Sequence, residues 1–546
     1  MEDKLFVIAI GGTGMRCLES FVHLCAMGMF DGKEINVLTL DTDQANGNKG
    51  RVEQLIELYN KVKRDEGVDG GANTGTFFSA KINLYKFFTN YSNQTRNKFS
   101  LLSATSSIGL PNADAIEQDD KDLADLFLDK NVQEFNLEHG YRAQTHLGSL
   151  LMYHGIVEAM KHVSENKDKA EEHEVALAEF VREMVAQNDC RVFVFGSVFG
   201  GTGASSIPII PKALRDASAI DSKNVLDLDK VKFGSTLLTQ YFSFNPPDKR
   251  EMSDERVIAS SDNFAINSQA ALQFYQSDPT VKKHYKRLYH IGWPNSMTFS
   301  LSDGGQTLTG GATQKNACHV VELMCACAAY DFFTIEGDQL SNEEAVYLYR
   351  SVEEKDGAFN FVGKTFINDD SNLLANKLGI FFSFAHIVLS LNGAATRHEL
   401  GTKAFIKHLS RQGVHDYDQL TDDQTKDIDD YMKCFAYDIN TKRELQPGWI
   451  YQLHTSIGSG QFIFNSSAFE ENVKRLESID PGKLFTDDKY NWKRGVFGSS
   501  YDSLAKTIAE PNCKPLAAKQ HLATMKEKFL AHIYRGIAKE QHFESI

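Results

Sequence analysis

Residues 191–203 read Arg191-Val192-Phe193-Val194-Phe195-Gly196-Ser197-Val198-Phe199-Gly200-Gly201-Thr202-Gly203. The run Arg191 to Phe195 is β-branched and aromatic, the mark of a strand buried in a sheet. Glycines follow it, and a helical pattern then runs to about Asp216. Glycine at such a turn permits φ > 0 and lets backbone N–H groups approach an anion closely. The helix that follows adds unpaired N–H groups and the positive end of its dipole. The same grammar occurs at the start of the chain. Leu5 to Ile10 (LFVIAI) is an apolar strand, Gly11-Gly12-Thr13-Gly14 a tight turn, and Met15 to Met29 a helix. A second strand, Ile35 to Leu40, ends at Asp41-Thr42-Asp43, and a second helix runs from Val52 to Lys63. Strand, helix, strand, helix at this spacing predicts βαβ units and a parallel sheet. In such a sheet the glycine loops collect at the carboxyl edge, where ligands bind. Two of them point to an anionic ligand, foremost a nucleotide; the plainer alternative is a pair of tight βα turns that hold nothing.

Outward from these loops the pattern continues. Helices are expected over Arg142–His162, Lys169–Gln187 and Ala259–Gln276, and strands over Val231–Phe242 and Arg287–Ile291. Gly311 to Thr334 is apolar nearly all round and predicts a long central helix buried between two domains. Residues from about 66 to 140 are irregular, rich in glycine at first and acidic from Asp114 to Asp129; they read as an insertion carrying a solvated helix. Strands are expected at Phe359–Val362, Leu378–Leu391 and Gln461–Asn465, and a last helix from about Ala517 to Ala538. The expected fold is α/β: a Rossmann-like parallel-sheet domain over 1–310, the central helix over 311–335, and a second α/β domain with C-terminal helices over 336–546.

Composition narrows the function. The 546 residues are 42% hydrophobic and 24% charged, which fits a globular chain and not a disordered one. With 58 Lys+Arg against 73 Asp+Glu, the net charge of −15 argues against a broad grip on nucleic acid or on an anionic membrane. The longest uncharged apolar run, Leu378 to Leu391, is too short to span a bilayer. The eight cysteines form no C-x-x-C pair and read as buried free thiols of a cytoplasmic protein. No histidine pattern suits a metal; His319, three residues before Glu322, reads as a core histidine with a local partner.

Two common nucleotide motifs fail in detail. A G-x-G-x-x-G fingerprint from Gly12 needs glycine at 17, where Cys17 stands, although Asp41 could still bind a ribose hydroxyl. The stretch Ala358 to Thr365 ends in Gly363-Lys364-Thr365 but lacks the first glycine of a phosphate-binding P-loop.

Phe199-Gly200-Gly201-Thr202-Gly203-Ala204-Ser205 resembles the G-G-G-T-G-[ST/A]-G signature of the tubulin/FtsZ superfamily, and other segments match in order. Gly11-Gly12-Thr13-Gly14 stands at the first phosphate loop. Leu40-Asp41-Thr42-Asp43-Gln44-Ala45 is similar to the N-T-D-A-Q-A loop of bacterial members, and Phe242 to Pro247 to the loop near the ribose. Asn267 and Asn316 resemble the asparagines that read guanine. The resemblance covers roughly 5–345, with 45–140 outside it. It implies GTP or GDP with Mg2+, held by Gly11, Gly12, Thr13, Gly14, Asp41, Asp43, Gly196, Ser197, Gly200, Gly201, Thr202 and Gly203. Arg16 either contacts a phosphate or lies on the helix surface. It also implies head-to-tail self-assembly into filaments, with hydrolysis completed by acids of the next subunit. Here those acids would be Glu343 or Glu344, then Asp338, in Gly337-Asp338-Gln339-Leu340-Ser341-Asn342-Glu343-Glu344; Asp369-Asp370 is a weaker candidate. The alternative for this stretch is an exposed acidic helix start.

Departures mark a divergent, prokaryotic branch. Phe199 replaces the first signature glycine, Ser205 the last, and Met15-Arg16 stands where an asparagine is usual. Two other functions remain open: a nucleotide-gated scaffold that recruits partner proteins without hydrolysis, as in a bacterial defence system, and a Rossmann-type dinucleotide enzyme.

Overall fold

The structure, a computed structural model, describes residues 4–89, most of 126–351, and 373–389, 401–439, 445–457, 500–515 and 521–540, with Asp488 and Asn491. Seven parallel strands form the central sheet: β1 (Lys4–Ile10), β2 (Glu34–Asp41), β3 (Lys81–Phe88), β4 (Cys190–Phe195), β5 (Val231–Leu238), β6 (Tyr285–Ile291) and β7 (Val346–Arg350). Their spatial order is β7-β6-β5-β4-β1-β2-β3, and every neighbouring pair is parallel. The chain therefore winds outward in one direction from β1 and in the other from β4. β1 and β4 lie side by side, with Leu5 opposite Arg191 and Ala9 opposite Phe195. Their junction is the topological switch point, where connecting loops diverge and leave a crevice at the carboxyl edge.

Alternation along the strands explains burial on both faces. Val7 and Ala9 join one core, with α1 (Gly11–Ala26) and α2 (Gly47–Lys63). Phe6, Ile8 and Ile10 join the other, with α3 (Thr145–Glu165), α4 (Glu172–Val185) and α6 (Ile210–Ile220); α5 (Thr202–Ser206) is a single turn after the second glycine loop. A further helix, α7 (Phe264–Ser277), precedes β6. The expected central helix is present as α8 (Val320–Thr334), shorter than the sequence predicts. It packs so close to β5 that a Cβ at Gly234 would stand 2.8 Å from the Phe332 ring.

Beyond residue 351 the described residues form α9 (Leu373–Leu389), α10 (Thr402–Arg411), α11 (Asp422–Phe435), α12 (Trp449–Ile457), α13 (Ser500–Ala509) and α14 (Met525–Glu540), plus one antiparallel pair, Tyr437–Ile439 with Leu445–Pro447. These helices share the core of α1, α2 and α8. Trp449 donates from its indole N–H to Ser20 Oγ at 2.9 Å, and Lys63 of α2 pairs with Glu527 of α14 at 3.2 Å.

Several expectations are corrected. Leu378 to Leu389 is helix, not strand: the run is buried on all sides, so it shows no helical stripe, and its length exceeds that of an ordinary strand. The region from 66 is not wholly an insertion, because Lys81–Phe88 pairs with β2 in the main sheet. Glu343-Glu344 does not start a helix; it lies in the loop leading to β7, an edge strand of the first sheet. The boundary expected at 336 thus falls inside that sheet. The segments 359–362, 461–465 and 358–365, Asp369-Asp370, and most of the acidic 114–129 stretch lie outside the described residues. Seven cysteines are buried and Cys434 is exposed. Among the described residues, no helix is long and apolar enough to cross a membrane.

Candidate functional site

The crevice at the β1/β4 junction is a cleft of about 1000 Å³, counting the solvent at its mouth. Both glycine loops line it. Gly11 has φ +65°, and a Cβ there would stand 3.2 Å from Thr202 Cβ, so the two loops touch only because Gly11 has no side chain. α1 begins at Gly11 itself, which turns its first N–H groups toward the cleft. Gly203 is as constrained: a Cβ would lie 2.7 Å from Ser197 O and 2.9 Å from Ser197 N. Gly140, at φ +83°, closes over this end between Thr202 and Thr42.

Of the residues expected to hold a nucleotide, Gly11, Gly12, Thr13, Arg16, Asp41, Asp43, Ser197, Gly200, Gly201, Thr202, Gly203 and Asn316 line the cleft. Gly14, Gly196 and Asn267 do not. Gly14 instead lets α1 press on β4: a Cβ would sit 2.5 Å from Phe195 O. Gly196 faces Ile207. Asn267 is half-buried on α7, and its amide donates to Phe199 O at 3.4 Å. Asn316 lies before α8, not on it, because the helix starts only at Val320. His319 caps that helix, its Nδ1 accepting from Val321 N at 3.1 Å while Glu322 accepts from His319 N at 3.0 Å. Burial pushes the His319 imidazole down to about 4, so it caps as the neutral form.

One end of the cleft is acidic beside the glycine loops. Asp41 Oδ1 accepts from the N–H of Thr42 (2.8 Å) and of Asp43 (3.3 Å), whereas Oδ2 is buried with no hydrogen-bond partner among the described residues. Burial, then the neighbouring Asp43, raises Asp41 to about 7. Hard carboxylate oxygens next to an anion cradle suit Mg2+, which is commonly held by one or two carboxylates and the substrate's phosphates. Among the described residues no group of three or more His, Cys, Asp or Glu is placed to hold a metal by itself.

The other end is aromatic, while amide side chains stand beside Gly12, and sequence reasoning missed most of both. Phe199, Tyr241, Phe242 and Phe264 gather there, with ring centroids 4.8 Å apart for Phe199 and Phe264 and 5.0 Å for Tyr241 and Phe242. Asn46 caps α2, its Oδ1 accepting from Asn48 N at 2.9 Å and Lys49 N at 3.3 Å. That fixes its amide to donate to Gln314 Oε1 at 3.3 Å. Asn48 Oδ1 accepts from Asn316 N and its Nδ2 donates to Asn316 Oδ1, both at 3.1 Å. The pairing spans 268 residues, and no local pattern carries it; the helix expected from Val52 begins at Gly47, so its Asn46 cap was missed as well.

Arg16 is neither on the surface nor free. It is 2% exposed, and its Nε and Nη2 bind both oxygens of Glu322 at 3.2 and 2.8 Å; Nη1 binds Glu19 at 3.1 Å. Tyr241 donates to the same Glu322 at 2.7 Å, and Arg51 pairs with Glu19 at 2.6 Å. Burial raises Glu19 to about 7 against the pull of Arg16. This cluster ties α1 to α8 beneath the cleft.

Asp338, Glu343 and Glu344 are exposed and far from the cleft. They follow the far end of α8, at the amino edge of the sheet. Arg191, at the start of β4, donates there to the carbonyls of Phe333 (3.1 Å) and Ile335 (2.6 Å). Arg287 donates to Asn342 Oδ1 at 2.9 Å. The 15 residues of α8 put roughly 22 Å between this loop and the cleft. No family model and no curated protein matches the chain.

Proposed function

We propose that this chain binds a guanine nucleotide, GTP or GDP with Mg2+, in the cleft at the β1/β4 switch point, and that it is a divergent tubulin-like GTPase that assembles head to tail. The observation that carries the binding is the convergence of Gly11–Thr13 and Gly200–Gly203 on one crevice of a seven-stranded parallel sheet. Backbone amides of both loops and the start of α1 supply a neutral-to-positive cradle for phosphates, which a chain of net charge −15 could not offer through its surface. Asp41 and Asp43 would hold the magnesium, which supplies charge neutralisation on the phosphates. The aromatic end would take the base.

Assembly is supported by the separation of the two halves of the chemistry. The candidate acids Glu343, Glu344 and Asp338 sit at the opposite edge of the sheet from the cleft, so they can orient a water on a nucleotide only in another copy. The same separation favours the scaffold reading for an isolated chain, which would bind and hold nucleotide without cleaving it. Identification of the nucleotide released on denaturing the purified protein tests the proposal. A guanine nucleotide supports it. Neither copurified nucleotide nor micromolar binding of added GTP with magnesium would overturn it.

A further inference from the structure

The amide side chains that line the cleft are committed largely to one another and to the backbone, not aimed at the Watson–Crick edge of a guanine. That edge presents N1–H and a 2-amino group, which need acceptors. Backbone N–H groups bind the oxygens of Asn46 and Asn48, and the amides of those two donate to the oxygens of Gln314 and Asn316, so the four are locked to one another and offer that edge only the lone pairs left over. Asn267 is outside the cleft.

Arg16 is the charged donor that lines the cleft, and its guanidinium has more N–H groups than its carboxylate partners use. Of its five N–H groups, one on Nε, one on Nη1 and one on Nη2 go to Glu322 and Glu19; the second N–H on each terminal nitrogen binds no carboxylate among the described residues, with the Cys318 thiol beside the guanidinium. The two carboxylates hold the guanidinium plane fixed and offset its charge. A guanidinium compensated in this way suits a neutral hydrogen-bonding edge better than a phosphate. Its partner Tyr241, which shares Glu322, places it at the aromatic end. We infer that Arg16 is the residue that selects the base, donating to O6 and N7 of guanine on the Hoogsteen edge. Adenine offers an amino donor in place of O6 and so would meet Arg16 with a mismatched donor.

The inference rests on nucleotide binding in this cleft, and the test separates the two. The full chain with magnesium is titrated with GTP, ATP, the inosine analogue ITP, and 7-deaza-GTP, which lacks only N7. ITP keeps O6 and N7 and lacks the 2-amino group, so it should bind as GTP does. 7-deaza-GTP and ATP should each bind roughly tenfold or more weakly. These probes need no substitution, so a folding defect cannot mimic the result. Arg16→Lys, checked for an unchanged melt, should bring GTP and ATP to similar affinity. Equal binding of GTP and 7-deaza-GTP with weak ITP overturns the assignment in favour of the Watson–Crick edge. An Arg16→Lys loss that is equal for GTP and ATP overturns it in favour of a phosphate contact. If none of the four binds, both this assignment and the nucleotide reading fall.

Discussion

At the scale of single residues, glycines divide into those that line the cleft and those that let backbone meet backbone. Gly14 belongs to the second kind although the sequence puts it in a phosphate loop: its missing Cβ would overlap Phe195 O at 2.5 Å. Gly50, inside α2, has nothing within 4 Å of its missing Cβ. Gly14→Ala should therefore destabilise the fold by about 2 kcal/mol or more, since α1 must lift off β4. Gly50→Ala should stabilise it by about 0.5–1 kcal/mol through helix propensity alone. Chemical denaturation of the two variants checks the pair; equal effects would refute the packing argument. Asp41 gives a second prediction at this scale. Its folded pKa, raised to about 7, lies above the unfolded value of roughly 3.9. Between those values the folded state holds the proton more tightly, so this group favours the fold at low pH and loses that contribution as pH rises through 7. Asp41→Asn should flatten the pH dependence: its stability relative to the parent chain should rise from pH 5 to pH 8, by up to about 1.4 kcal/mol per unit of pKa difference. Magnesium-dependent nucleotide affinity of the parent chain should rise over the same window, because only the carboxylate binds the ion. A relative stability independent of pH would show that Asp41 is not perturbed.

At the scale of elements, the sequence was most legible where an apolar run met glycine. β1, β2, β4, β5 and β6 appear within a few residues of expectation, whereas the one helix expected after the second glycine loop is two, Thr202–Ser206 and Ile210–Ile220. The reason is physical: a strand buried on both faces needs an unbroken apolar run, and a tight turn needs glycine. Elements lacking that punctuation were lost. β3 alternates Ile82, Leu84 and Lys86 with Asn83 and Tyr85, and β7 carries exposed Val346, Tyr347 and Tyr349; both are edge strands with weak one-sided patterns. α9 erred in the opposite direction. Phe381, Phe382, Phe384 and Ile387 are all buried because the helix is surrounded, and β-prone residues without a stripe look like strand. In the site, the loops could be read and the aromatic end could not. Tyr241, Phe264, Asn48, Glu19 and Glu322 meet only through tertiary packing, and Arg16 was readable as a charge but not as a buried one.

At the scale of the whole molecule, the parallel sheet has two chemically different edges. The carboxyl edge carries the cleft, and the amino edge carries the acids, on a loop that Arg191 and Arg287 hold through its backbone and Asn342. α8 joins them: its capped start abuts Arg16 through Glu322, and its end is clasped by Arg191. Under the proposed function, a cleft at one pole and acids at the other would meet in a heterologous contact, which propagates as an open filament unless rotation closes it. This arrangement yields a prediction that needs no structure of the filament. A chain with Gly203→Val should lose the cleft, because the new side chain would overlap Ser197 backbone, while keeping its acids. A chain with Asp338→Ala, Glu343→Ala and Glu344→Ala should keep the cleft and lose the acids, without a folding cost, since all three are exposed. Each alone should release phosphate from GTP at no more than a few hundredths of the parent rate, in keeping with the loss of a water-orienting group, typically about 10²-fold or more. Mixed, they should regain a measurable share of it, because acids of the first chain would act on nucleotide held by the second. The gain should rise more steeply than linearly with total protein, as a junction between two copies requires. No recovery on mixing, with the triple variant still binding GTP, would mean that cleft and acids do not cooperate across a junction, and the chain would then act as a nucleotide-bound scaffold.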